Sequence, residues 1–379
     1  MTVADVKKSS RVLAPDVLEK MTGPESLPDL EWRNRQPTMA YRRLGDTGLM
    51  VSEMCAGGDP VNPGNYKYLD LALDLGVNYL DMAPAYGMGA CEKGYGLLLK
   101  SSSCRERVFL ATKISDFIDV RHQLYKDIFN GLPTEKKNAV MKRATELRQQ
   151  RGVDKPGYFL NYYPGQRQAL ELACLSAAMM RDYRHRVEKS PELRAIIFKS
   201  IEGSLRRVGT DYFDILMCPH GADSPEEAKN SEIYPAFEAL KKQGKVRFLG
   251  LSSHNDPAGV LRAATNTGWY DLAMVAYNVV NGGYMEEAIR SGAEKGLGII
   301  AMKAAHVVIT HHKLHQPLPS WRIQKVEQIV PGEMKPHLKA YLWALQNPHI
   351  SAVMSNMWNE AHIRENLSVV GKKVELRFA

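Results

Sequence analysis

Eight short apolar runs, each followed by a stretch of helical periodicity, predict a closed parallel (β/α)8 barrel, the TIM-barrel architecture. Two further observations point the same way. No G-x-G-x-x-G follows the first run, as an open dinucleotide-binding sheet would carry. Polar residues also recur where the runs end, the face on which such barrels keep their sites. The runs are 51–56, 77–80, 108–112, 213–218, 246–251, 272–277, 298–302 and 351–354. The helical segments lie near 66–75, 91–100, 191–208, 226–243, 256–267, 284–295, 333–346 and 359–370.

Residues 1–40 are polar and Pro-rich, with a short helical possibility at 15–21, and read as an N-terminal extension wrapped on the surface of a barrel domain, 41–379. Apolar runs 41–44 and 49–54 flank Gly45-Asp46-Thr47-Gly48, the pattern of a hairpin leading into the first barrel strand. Two segments break the rhythm. Residues 115–190 separate the third strand from its helix, where about 2–6 residues are usual, and carry helical patches at 135–151 and 166–186 around a Gly-Pro-rich stretch, 152–165. Residues 303–332 form a second long loop, after the seventh strand. Both leave from the C-terminal mouth; a lid, a pocket wall and an oligomer contact all fit, and the sequence does not separate these.

The net charge of +8 and pI near 9.1 come from Lys and Arg spread along the chain, with no basic arm interleaved with aromatics, which argues against nucleic-acid binding. A mild positive bias suits capture of a phosphorylated cofactor. Cys55, Cys91, Cys104, Cys174 and Cys218 are odd in number and form no C-x-x-C pair, which argues for a reducing compartment and against a zinc site. No apolar run approaches the roughly 20 residues of a membrane span. Residues 1–40 lack the apolar core of a secretory signal, so a cytoplasmic location is expected.

Chemistry concentrates at Gly76–Tyr86. Asp81 ends the second strand, Tyr86 follows in its loop, Lys113 ends the third strand, and His220 lies just past the fourth. In a barrel these four share one mouth. Lys113, held by Asp81, would lower the pKa of the Tyr86 phenol and make it a usable proton donor, and His220 would orient a carbonyl. For an isolated Asp–Lys pair a structural role outranks a catalytic one, but four such groups at neighbouring strand ends reverse that order. His306, His311, His312 and His315 lack Cys or acid partners and read as a solvated loop, so no metal is expected. Cys218 reads as a small buried hydrophobe, and Glu92 and Trp358 as surface or packing residues.

On these motifs the chain resembles the aldo-keto reductase family over roughly residues 41–370, apart from the two excursions. The resemblance is carried by LeuGlyAspThrGlyLeuMetValSer (44–52), GlyValAsnTyrLeuAspMetAlaProAlaTyrGly (76–87), ArgGluArgValPheLeuAlaThrLys (105–113), SerLeuArgArgValGlyThrAspTyrPheAsp (204–214), GlyLeuSerSerHisAsn (250–255) and GluAsnLeu (365–367). It implies a nicotinamide cofactor extended over the mouth and Asp81, Tyr86, Lys113 and His220 as the catalytic tetrad. His220 comes six residues after Asp214, where the family places the histidine at five; Pro219 takes that place, and a bulge would absorb the extra residue. Asp81, Ser252, Ser253 and Met274 occupy positions that the family uses around the nicotinamide. Met302 replaces a stacking tyrosine, and Lys303 is expected at the pyrophosphate, as in the branch with an AlaMetLys strand.

Asn356, a helix capped by Asn359, and His362, Arg364, Glu365 and Asn366 complete the implied nucleotide site. The basic residue that many relatives set at position 356 is absent, so His362 and Arg364 are expected to hold a 2′-phosphate, with NADP as cofactor and NAD as the alternative. The implied activity is reduction of an aldehyde or ketone to an alcohol, or the reverse, on a small-molecule substrate. A cofactor-binding regulatory or sensor subunit with little turnover is the other reading, and assembly into an oligomer is compatible with both.

Overall fold

The computed structural model describes residues 29–309 and 317–377. The helical possibility at 15–21 and three of the loop histidines, His311, His312 and His315, lie outside them. A three-stranded sheet opens the described chain. β1 (Glu31–Trp32) pairs in parallel with β3 (Leu49–Ser52), which is antiparallel to β2 (Tyr41–Arg43). The turn between β2 and β3 contains Gly45 at φ 53°, and a Cβ there would stand 2.2 Å from the backbone nitrogen of Gly298, so only glycine permits this approach. The sheet is thereby seated on the N-terminal end of the barrel, and residues 29–40 contribute a strand to it.

Eight strands then close the barrel in chain order, every pair parallel: β4 (Met54–Gly57), β5 (Tyr79–Asp81), β6 (Phe109–Lys113), β7 (Phe213–Met217), β8 (Val246–Ser253), β9 (Leu272–Ala276), β10 (Gly298–Met302) and β11 (Ala352–Asn356). The run expected as one strand over 51–56 is two. The chain turns at Glu53, whose carboxylate takes Arg42 at 2.7 Å, so β3 belongs to the lower sheet and β4 to the barrel.

Side chains alternate across each strand. Tyr79, Phe109, Ala111, Ile215, Met217, Leu272 and Ile300 fill the interior, and Leu44, Leu49 and Val51 plug it from below. Leu80, Leu110 and Leu216 pack outward against the helices. Continuing that alternation past Tyr79 brings Asp81 inward, and continuing it past Ala111 brings Lys113 inward. At the opposite end the buried carboxylate of Asp214 is held by Arg33 (3.2 Å), Arg105 (3.1 Å) and Arg247 (2.7 Å), which closes the base with charge pairs.

Apart from α3 and α10, the helices fall where periodicity places them: α1 (Leu69–Asp74), α2 (Ala90–Ser101), then α3 (Phe117–Asn130), α4 (Thr134–Arg151) and α5 (Gln166–Val187) of the insertion, and α6 (Pro191–Val208), started by Ser190. They continue as α7 (Ile233–Lys242), α8 (Pro257–Thr267), α9 (Gly282–Glu294), α10 (Ser320–Ile329), which stands within the segment 303–332 expected as a loop, α11 (Pro336–Gln346) and α12 (Glu360–Leu367). Helix α3 was not expected. Its buried face is Phe117, Ile118, Arg121, His122 and Tyr125, so two of the positions that complete a helical stripe are charged or polar.

Those two residues pin the insertion to the barrel. The Arg121 guanidinium, fully buried, reaches Glu188 at 2.9 Å and Glu227 at 3.8 Å, and His122 Nε2 lies 2.8 Å from Glu227. Tyr125 and Asn230 each donate to Glu188 at 2.7 Å. The stretch 152–165 is also anchored: Tyr158 donates to Asp256 at 2.5 Å, and the Tyr162 hydroxyl accepts from Asn278 at 2.9 Å. The insertion therefore crosses the mouth from β6 to the loops after β8 and β9. No helix among the described residues is long and apolar enough to cross a membrane.

Candidate active site

A cavity of about 740 Å3 opens at the C-terminal ends of the strands. At its floor Lys113 Nζ donates to Asp81 Oδ1 at 2.5 Å and to the Met82 carbonyl at 2.9 Å. Both side chains are all but closed to solvent, at 1% and 3%. A buried carboxylate alone would be costly, and burial does push the Asp81 pKa up; the Lys113 charge opposes that push.

Tyr86 sits in the loop after β5, its backbone N–H bonded to the Ala83 carbonyl at 3.1 Å. The loop closes through Gly89 at φ 85°, which lies against Arg207 so tightly that a Cβ would meet it at 2.8 Å. Glu92, in the first turn of α2, fixes this corner: it accepts from Thr112 at 2.9 Å and pairs with Arg207 at 2.5 Å. Glu92 is thus a buried structural anchor rather than a surface residue.

The Lys113 ammonium lies 4.7 Å from the Tyr86 ring centroid, over its face, and the Asp81 charge acts on the phenol. The expected lowering of the phenol pKa is not what this arrangement produces. Burial first, and the Asp81 charge second, push Tyr86 well above its ordinary value. The phenol keeps its proton at neutral pH.

His220 meets the Tyr86 ring edge-on, with centroids 5.9 Å apart and planes at 84°. The extra residue before it does not remove it from the pocket: β7 ends at Met217, the Cys218–Pro219 bond is cis, and His220 lines the cavity. Ser115 Oγ lies 3.0 Å from His220 Nδ1 and accepts from the Ala85 N–H at 3.3 Å, joining the histidine to the tyrosine loop. Burial, with the charges of Lys113 and Lys303, pushes His220 down to about 3. The imidazole is therefore neutral throughout the working range.

The sign of the resulting pH effect follows. Between about pH 6.5 and 3 the unfolded chain binds a proton that folded His220 refuses, so stability falls as pH drops through that window. Denaturant unfolding between pH 7 and 4 is expected to show a shallower acid decline in His220→Gln than in wild type. His254, also pushed down by burial, keeps the remainder.

Along the β10–β11 side the cavity is lined by Met274, Met302, Lys303, Asn356, His362 and Glu365, with Asn366 beside them. Lys303 holds a left-handed backbone, φ 62°, directly after β10. Asn359 caps α12 by accepting from the His362 N–H at 2.9 Å. Glu365 pairs with Lys335 and, at 3.4 Å, with His337, and Asn366 donates to Ser355 at 2.9 Å.

Three expected cofactor residues stand elsewhere. Ser252 accepts from the Gly221 N–H at 2.8 Å and Ser253 donates to the Ala222 carbonyl at 2.7 Å; both hydroxyls are engaged by the loop after β7, and neither residue lines the cavity. Arg364 is exposed and outside the lining, because its place in α12 turns it away from His362 and Glu365.

Residues that sequence reading missed are His254, Asp223, Tyr162 and Tyr163, which line the cavity together with Asp119. For His254 the signal was its place one residue past β8; for the tyrosines it was only an aromatic pair within the insertion.

The family model described as "Aldo/keto reductase family" matches residues 57–376. Among curated relatives, "Aldo-keto reductase AFTS1" of Alternaria alternata is 28% identical over 279 residues, 69% of this chain and 63% of that protein. The match thus spans less than two-thirds of that relative's length. "L-galactose dehydrogenase" of Arabidopsis thaliana is 28% identical over 354 residues, 87% of each chain. Among solved structures, the holo form of "aldo-keto reductase AKR11C1 from Bacillus halodurans" is similar with a TM-score of 0.57 at 21% identity, over 88% of this chain and 92% of that one; this likeness concerns the fold.

Proposed function

The chain belongs to the aldo/keto reductase family, and from that premise we propose that it is an NAD(P)H-dependent oxidoreductase that reduces an aldehyde or ketone to an alcohol, or runs the reverse, with Tyr86 as general acid/base. The observation that carries this reading is the buried Lys113–Asp81 pair beneath the Tyr86 ring, with neutral His220 at its edge. The names of the relatives, reductases and dehydrogenases, cover both directions.

The cavity fits a nicotinamide dinucleotide on this chain's own features. Met274, Met302 and Met354 offer an apolar wall, Lys303 a cation beside it, and the capped start of α12 with His362 a place for phosphate. Such a cofactor supplies or accepts the hydride when bound. The protein's part is proton management. Tyr86, protonated at neutral pH, gives its proton to the alkoxide oxygen formed from the carbonyl. As the proton leaves, the Lys113 charge over the ring compensates the phenolate, and Asp81 keeps that lysine in place. Ser115 at Nδ1 leaves the other ring nitrogen of His220 for the substrate oxygen.

Following nicotinamide absorbance with a panel of aldehydes and ketones tests the reading. Steady turnover supports it; tight cofactor binding without turnover on any carbonyl would point to the regulatory reading. NADP(H) is the preferred partner, held at the 2′-phosphate by His362, and cytoplasmic residence accords with five unpaired, buried cysteines. His362→Ala is expected to weaken NADPH binding several-fold while NADH binding changes little, and the gap should narrow as salt rises. Arg364→Ala should do neither. Titration of both cofactors by tryptophan fluorescence checks this, and equal losses for NADPH and NADH would count against it.

A further inference from the structure

The pairing of β6 with β7 runs on past Lys113: the Ile114 N–H donates to the Met217 carbonyl at 2.9 Å, which places Ser115 at the mouth beside the loop after β7. Ser115 is half-buried and lines the cavity with Tyr86 and His220. Its hydroxyl stands between two parts of the site. His220 Nδ1 is on one side, and on the other is the N–H of Ala85, the residue before Tyr86. We propose that Ser115 is a positioning residue that donates its proton to His220 Nδ1, holds the imidazole with its proton on Nε2, and ties that ring to the tyrosine loop. The inference rests on the carbonyl-reductase reading and gives the reaction a working residue outside the four at the strand ends.

Three observations support it. First, a serine hydroxyl has one hydrogen to give, and here the Ala85 N–H already takes one of its acceptor positions, at 3.3 Å. Among the described residues, His220 Nδ1, at 3.0 Å, is the only acceptor left for that hydrogen. A proton on Nδ1 would leave the hydroxyl without one; with Ser115 as donor, both groups are satisfied. A neutral imidazole that accepts at Nδ1 carries its hydrogen on Nε2, and burial with the charges of Lys113 and Lys303 keeps this ring neutral.

Second, Nε2 is reachable. It has no partner among the described residues, it is not one of the nitrogens closed to solvent, and its residue lines the cavity. Third, Ser252 fixes the backbone on both sides of His220, donating its N–H to the Pro219 carbonyl at 3.2 Å and accepting from the Gly221 N–H at 2.8 Å. That leaves the turn of the ring to be set, and a half-turn would put a carbon where Nδ1 stands. The Ser115 hydroxyl selects between the two. His220 then meets the carbonyl oxygen as a fixed hydrogen-bond donor, while Tyr86 alone gives up a proton.

Spectroscopy and kinetics on the full chain test this together. Long-range proton–nitrogen correlation spectra with isotope-labelled histidine report which ring nitrogen is protonated, and His220→Gln identifies the His220 signals by their loss. Wild type is expected to show a bare Nδ1 and a protonated Nε2. In Ser115→Ala the Nδ1 resonance should move, because its hydrogen bond is gone. In turnover, Ser115→Ala should lower kcat about five- to ten-fold, the loss of one neutral hydrogen bond, with little change in the KM for cofactor. Ser115→Thr, which keeps the hydroxyl, should recover most of that rate. In a His220→Gln background the same Ser115→Ala change should cost nothing further, since the two residues act as one unit.

A proton on Nδ1 in wild type, an Nδ1 resonance unmoved by Ser115→Ala, or an equal loss of kcat with and without His220 would overturn the proposal and leave the reductase reading intact. If wild type turned over no carbonyl, the reductase reading itself would fail. The two spectra would then decide the Ser115 contact alone, a bare Nδ1 that responds to Ser115→Ala supporting it and either other result overturning it.

Discussion

Tyr86→Phe is expected to lower turnover by roughly 10²–10⁴-fold, the range for loss of a general acid, while cofactor affinity stays within about two-fold. The substitution keeps the ring, and with it the edge contact to His220 and the face presented to Lys113. Only the hydroxyl is removed. The phenol's upward shift makes it a proton store in the resting protein, so its deletion should appear in kcat more than in KM. Single-turnover traces of cofactor oxidation would check this, and rates like wild type would remove Tyr86 from the chemistry.

Lys113→Met should cost at least as much activity and, unlike the tyrosine change, should also destabilise the fold. It leaves the Asp81 carboxylate buried without its counter-charge, a situation that typically costs about 3–5 kcal/mol. The sign of the pH effect is diagnostic. Burial already raises the Asp81 pKa, and removal of the lysine removes the charge that opposes the rise. A carboxyl whose folded pKa exceeds its unfolded value loses stability as pH climbs. The deficit of Lys113→Met relative to wild type should therefore be small near pH 4 and largest at neutral pH. Adding Asp81→Asn should recover much of the stability and none of the activity. Denaturant midpoints and turnover measured on the two variants together would show whether the pair serves the fold, the reaction or both.

The parts of this architecture that the sequence disclosed are those written in a short period. Asp81 and Lys113 end strands whose inward residues alternate, so the barrel alone brings them to one place. His220 was legible through its motif even with an extra residue before it. Other features were hidden because a different interaction decided them. The strand at 51–56 looked continuous because Val51 and Met54–Ala56 read as one apolar run across Ser52 and Glu53, and the turn at Glu53 depends on an ion pair to Arg42, from another strand. Helix α3 was obscured because Arg121 and His122 occupy positions on its buried face, a choice that makes sense only beside Glu188 and Glu227. Ser252 and Ser253 suited a carboxamide by position, but position could not reveal that the loop at 221–222 uses their hydroxyls. The pocket wall from 162 to 169 lies in a segment where no periodic signal refers to the barrel at all.

The ion network beneath the insertion bears on how new specificities could be transplanted between relatives. Glu227 and Asn230 belong to the loop after β7, whereas Arg121, His122, Tyr125 and Glu188 belong to the insertion. A chimaera that exchanged 115–190 alone would strand Glu227 in the interior without Arg121 and His122, and exchanging the β7 loop alone would take Glu227 from His122 and Asn230 from Glu188. The two stretches form a single exchangeable cassette that is discontinuous in the chain, and domain shuffling or loop grafting would have to carry both halves at once.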